Sequence, residues 1–124
     1  MKTDKYLNAD FEQGGSLAYA NGNPIWVQFV RDFRSDLKGM LKGSEWTLYK
    51  LSNGHYELYG FLYNEHLDKW MYFSISDVRF FQDEWANSVL IRTAKNDKDY
   101  TGGMNCYTKF KNIPQFLQRE FIYS

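Results

Sequence analysis

Residues 45–76 read EWTLYKLSNGHYELYGFLYNEHLDKWMYFSIS, a stretch that spells out three successive strands joined by two turns. Asn53-Gly54 separates two apolar-rich runs, and Asn-Gly suits a type I′ hairpin turn because both central positions there need φ > 0. Placing Ser52 opposite His55 predicts the pairs Leu51 to Tyr56, Lys50 to Glu57, Tyr49 to Leu58, Leu48 to Tyr59 and Trp46 to Phe61. Lys50 and Glu57 then face each other across the ladder, a charge pair that favours this register over a slip. A looser turn over residues 64–69 returns a third strand, which sets Tyr63 beside Trp70, Phe61 beside Tyr72 and Leu58 beside Ile75.

Alternation along these strands predicts two different faces. Thr47, Tyr49, Leu51, Leu58, Leu62, Met71, Phe73 and Ile75 form a mostly aliphatic face suited to burial under a helix. Trp46, Lys50, Tyr59, Phe61, Tyr63, Trp70 and Tyr72 form the other, aromatic with polar tips. A water-facing antiparallel sheet is normally more polar than that.

The helix follows from the sequence upstream. Asn23-Pro24 reads as a helix start, with the asparagine as cap and proline at the first helical position. Trp26, Phe29, Val30, Phe33, Leu37, Met40 and Leu41 then recur at three- and four-residue steps to about Lys42, and Gly43 is the expected stop. Asp32 precedes Asp36 by one turn and Arg34 precedes Lys38 likewise, so the polar side repels itself and the helix depends on tertiary packing. Downstream, residues 77–87 read as a connection with a short helical turn, and residues 88–94 as a fourth strand built on Val89-Leu90-Ile91. Residues 95–105 read as a polar loop, and Asn112 with Pro114 opens a terminal helix carrying Ile113, Phe116, Leu117 and Phe121 on one side. The expected fold is α+β: one long helix packed on a twisted antiparallel meander of three to four strands, with a short C-terminal helix. Residues 1–23 lack a sustained period and read as a mobile or loosely docked arm on a single domain spanning 24–124; the aromatic sheet face is its expected docking place.

Lys plus Arg and Asp plus Glu number 15 each, so no overall field draws the chain to nucleic acid or to anionic lipid. No apolar run approaches the roughly 20 residues of a bilayer span, which argues against a membrane partner. The first residues lack a secretory pattern and Cys106 stands alone, so a cytoplasmic location is the default expectation. His55 and His66 fall in turns at opposite ends of the second strand, roughly 35 Å apart at the usual rise per residue, and cannot share a metal. No metal site, cofactor or catalytic residue is therefore assigned, and enzymatic activity is not expected.

Two surfaces remain as candidates. The first is the aromatic face, with Trp46, Tyr59, Phe61, Tyr63, Trp70, Tyr72 and Lys50 as binding residues. It reads either as a second small core covered by the arm and the segment after Ser76, or as an interface for a protein partner or a second copy of the chain. A platform for single-stranded nucleic acid, helped by the basic residues after Ser88, is the alternative. The second candidate is the Gly102-Gly103 loop with Arg92, Lys95 and Lys98 nearby, a possible anion site for a nucleotide- or phosphate-handling enzyme. It lacks the lysine and hydroxyl of a P-loop, and an ordinary Gly-Gly turn is the plainer reading. In texture, rich in Asn, Lys and Tyr, the sequence resembles small uncharacterised proteins of bacterial phages, plasmids and conjugative elements. That resemblance implies a protein-binding or inhibitory accessory role and carries over no functional residue.

Overall fold

The computed structural model describes residues 1–8, 24–54 and 57–122, and for 119–122 the backbone alone. Strands β1 (Trp46–Asn53), β2 (Glu57–Asn64), β3 (Lys69–Ser76), β4 (Val89–Ala94) and β5 (Cys106–Thr108) form one antiparallel sheet in sequence order. Helix α1 (Pro24–Leu41) crosses one face, and α4 (Ile113–Ile122) closes the chain. This is the α+β architecture the periodicities predict, with one strand more. The fifth strand is only three residues long, too short to leave a pattern in the sequence.

The α1 stripe buries Trp26, Phe29, Phe33, Leu37 and Leu41. Phe33 stacks on Phe110 at 4.8 Å between ring centroids and on Phe73 of β3 at 6.5 Å. Beneath it the sheet contributes Leu58, Leu62, Met71, Ile75, Val89 and Ile91, and α4 adds Ile113 and Leu117. Gly43, at φ +85°, ends the helix where the reading expected it. The proposed cap Asn23 lies outside the described residues, as does the side chain of Phe121.

Pairing of β2 with β3 follows the predicted register, with Tyr63 opposite Trp70, Phe61 opposite Tyr72 and Leu58 opposite Ile75. Pairing of β1 with β2 does not. Lys50 pairs with Phe61, Leu51 with Gly60 and Asn53 with Leu58, and Gly54 N–H donates to the Glu57 carbonyl at 2.8 Å. The hairpin therefore reverses two residues beyond Asn53-Gly54, and Lys50 does not face Glu57. β1 also carries a β-bulge at Tyr49, where the register shifts between Leu48 and Lys50. One extra residue flips every side chain before it to the other face. Trp46 and Leu48 consequently point into the helix-side core, and Trp46 is buried there, not on the aromatic face.

Residues 77–87 form two short helices, α2 (Val78–Phe81) and α3 (Glu84–Asn87). Asp77 caps α2 by accepting from Arg79 N–H at 2.8 Å, and its carboxylate also pairs with the Arg79 guanidinium at 2.7 Å. The Arg79 guanidinium lies over the Trp26 ring at 4.3 Å, so this buried ion pair packs against α1.

The first residues dock on α1, away from the aromatic face. Lys2–Tyr6 form a 3-10 turn in which Thr3 donates from both N–H and Oγ1 to Asp36, and Tyr6 Oη donates to Asp32 at 2.7 Å. The two like charges that leave α1 self-repelling, Asp32 and Asp36, are thus satisfied by this segment. Residues 9–23, the rest of the predicted arm, lie outside the described residues. No helix among the described residues is long and apolar enough to cross a membrane.

Candidate binding surface

The sheet face opposite α1 is built from alternate residues of β1 to β4, and the bulge adds Tyr49 to it. Trp70 stands at its centre on one side: Tyr63 packs against the indole at 4.3 Å and Tyr49 meets it edge-on at 4.7 Å between centroids. Tyr49 is 55% exposed, while Tyr63 and Trp70 are half-buried. The Tyr63 hydroxyl donates to Asp68 at 2.9 Å, and that carboxylate raises the phenol's pKa.

On the other side Phe61 and Tyr72 are buried, at 0% and 5% exposure, although neither belongs to the helix-side core. Their cover is Tyr100, carried by the loop between β4 and β5. Its ring meets Phe61 at 5.3 Å, Tyr59 at 5.9 Å and Tyr72 at 6.0 Å, each nearly edge-on. Lys50 Nζ donates to the Tyr100 hydroxyl at 3.3 Å, and Arg92 Nη2 donates to the Tyr100 carbonyl at 2.6 Å. Arg92 itself stacks over the Tyr72 ring at 4.6 Å. Burial, and then the Glu57 carboxylate, push the Tyr72 phenol pKa up. An open groove of about 680 Å³ runs beside this cluster, floored by Tyr72 and Ser74 and bounded by Glu57, Tyr59, Arg92 and Tyr100.

The Gly102-Gly103 loop is organised by a carboxylate of its own. Asp99 accepts from the backbone N–H groups of Lys95 at 3.0 Å, Gly102 at 2.8 Å and Thr101 at 3.3 Å, and these bonds, the Lys95 one foremost, hold its pKa below the usual range. The Gly102 N–H that would meet a phosphate is thereby already used by an internal anion. Gly103 adopts φ +77° against the Thr93 backbone, a place where a Cβ would collide.

Of the residues singled out from sequence, the structure brings Lys50, Tyr59, Phe61, Tyr72 and Arg92 together around Tyr100, and leaves Tyr63 and Trp70 beside Tyr49. Trp46 lies on the opposite side of the sheet. Lys95 and Lys98 sit exposed in the loop, whereas Lys109 and Lys111 flank the buried Phe110 near the first residues of the chain. The described basic residues after Ser88 are therefore divided between two sides of the molecule. His66 is exposed in the β2–β3 turn, and His55 lies outside the described residues. Tyr49 and Tyr100 were missed. Asp99 three residues before Gly102 marks a self-bonded loop, but where its tip lands leaves no local signal.

No protein-family model matches the chain, no curated protein matches it, and no solved structure matches it.

Proposed function

We propose that this chain is a non-enzymatic binding module that contacts another protein through the exposed end of its aromatic sheet face, centred on Tyr49, Tyr63 and Trp70. The carrying observation is this trio of edge-on and tilted rings, whose Tyr49 is exposed, beside neighbouring rings that Tyr100 covers. Large aromatics with polar tips dominate the energetics of protein interfaces because they bury much area at little entropic cost. The resemblance to small proteins of phages and mobile elements fits an accessory or inhibitory role for such a module. A single-stranded nucleic acid would also stack on these rings, but it needs cations beside them. Lys50 and Arg92 are engaged by Tyr100, Lys109 and Lys111 lie elsewhere, and the exposed Lys95 and Lys98 of the β4–β5 loop are the cations left for such a ligand.

A photo-crosslinking residue at position 49 tests the reading in extracts of the native host. The expected result is an adduct of one discrete mass from position 49 and none from position 28, an exposed site on α1. An adduct of twice the chain's own mass would identify the partner as a second copy. Absence of any discrete adduct from position 49 removes the proposal. Quenching of intrinsic fluorescence by single-stranded oligonucleotides, lost in Trp70→Phe and weakened by salt, would replace it with the nucleic-acid reading.

A further inference from the structure

We infer that the pocket filled by Tyr100 is a receptor for a tyrosine at the C-terminal end of a partner chain, with Tyr100 acting as a resident self-ligand that such a residue displaces. This deepens the protein-binding reading by naming what the sheet face recognises, at a place adjacent to the Tyr49, Tyr63 and Trp70 trio.

Three anchors hold Tyr100, and all belong to one residue: the ring among Tyr59, Phe61 and Tyr72, the hydroxyl on Lys50, and the main-chain carbonyl on Arg92. A tyrosine unit from any other chain carries the same three groups in the same relation. Arg92 shows where a terminal residue would do better than Tyr100. Its Nη2 has the carbonyl, but its Nε is buried without a hydrogen-bond partner. Nε and Nη2 share one edge of the guanidinium, the edge that binds a carboxylate with two parallel bonds. The same molecule displays that arrangement at Arg79, whose Nε and Nη2 donate to the two oxygens of Asp77 at 3.0 and 2.7 Å. A chain-terminal carboxylate in place of the Tyr100 carbonyl supplies the second oxygen, satisfying the orphaned Nε and adding charge assistance.

The resident ring is placed to leave. Tyr100 is 39% exposed, and its hydrogen bond to Lys50 is long and open to water. The loop keeps its shape through Asp99, which gathers three of the loop's own amides, and so can lift from the sheet without losing those bonds.

The test uses the full chain with N-acetyl-tyrosine and N-acetyl-tyrosinamide as probes, read by NMR titration of the Arg92 Nε and Tyr72 resonances. In Tyr100→Ala, the acid should bind at a saturable site at least about tenfold tighter than the amide, and about tenfold tighter than it binds the unaltered chain. Adding Arg92→Gln should erase the preference for the acid. Equal affinity for acid and amide, or no saturable binding to folded Tyr100→Ala, overturns the inference. If Tyr100→Ala does not fold, Tyr100→Phe loses only the Lys50 contact and should show the same acid preference; its absence there is equally fatal. A peptide ending in tyrosine should match N-acetyl-tyrosine, and exclusion of the peptide would overturn the chain-terminal partner. None of these failures touches the crosslink at position 49, which reports on the separate trio.

Discussion

Gly60 pairs with Leu51 just past the bulge, and a Cβ there would fall inside the van der Waals shell of the Lys50 carbonyl oxygen. The extra residue in β1 is thus accommodated by the absence of a side chain in β2. Gly60→Ala should cost about 1 to 3 kcal/mol, since backbone at a bulge yields less readily than a side chain. A denaturant midpoint unmoved by this change would mean that the bulge is not the register lock. Asp77 shows the opposite kind of dependence, an attraction that cannot be withdrawn. Both partners of the Asp77–Arg79 pair are almost fully buried, with side-chain exposures of 1% and 2%. Asp77→Ala takes the carboxylate away from a buried guanidinium and removes the α2 cap, with an expected loss of about 3 to 5 kcal/mol by equilibrium unfolding. Replacing both residues by apolar ones of similar volume should cost far less, because no charge is then left alone.

Helix α1 lacks favourable charge pairing of its own and is held from two sides. On the sheet side, Phe33 sits at the meeting point of β3 and the Phe110 turn, and Phe33→Ala should lower stability by about 3 to 5 kcal/mol. On the outer side, Tyr6 packs edge-on to Phe29 at 5.1 Å and donates to Asp32, while Lys5 reaches the same carboxylate at 3.1 Å. The Tyr6 hydrogen bond is the largest cause holding the Asp32 pKa below the ordinary value, with Lys5 adding to it. A depressed folded pKa contributes stability that is present above the unfolded carboxylate value, near pH 4, and is lost as pH falls through the folded value. Tyr6→Phe removes the main cause, so its stability should fall less steeply below about pH 4 than that of the unaltered chain. Parallel acid titrations of unfolding would expose a wrong assignment as two curves of identical slope.

For the molecule as a whole, the two faces of the sheet are covered by different means. The α1 face is a continuous core, whereas among the described residues Tyr100 of the β4–β5 loop covers one half of the other face and Tyr49 stands exposed beside Trp70 on the other half. Deleting residues 1–8 removes the Tyr6 and Thr3 contacts to α1 and should lower the thermal midpoint. Partner capture through Tyr49 should persist, because those residues dock on the opposite side of the sheet. The complementary double change Tyr49→Ser with Trp70→Ser should abolish capture with the midpoint nearly preserved, since Tyr49 is exposed and Trp70 only half-buried. Outright unfolding of that double variant would make the trio structural.

Local chemistry determined the elements. The three- and four-residue apolar steps of α1, the stop at Gly43, the β2–β3 register and the C-terminal helix were all legible, because each rests on contacts within a few residues or on strict alternation. The β1 register was not legible. Asn53-Gly54 has the right turn chemistry, yet the pairing that buries Trp46 and Leu48 under α1 reverses the chain two residues later and inserts Tyr49 as a bulge. The burial of these two side chains rests on the bulge, since only a one-residue shift moves them to the other face. The aromatic character of the open face was readable from alternation, but not its division into a sealed and an exposed half. That division depends on where residue 100 lands, 50 positions from Lys50, a contact that no local pattern encodes.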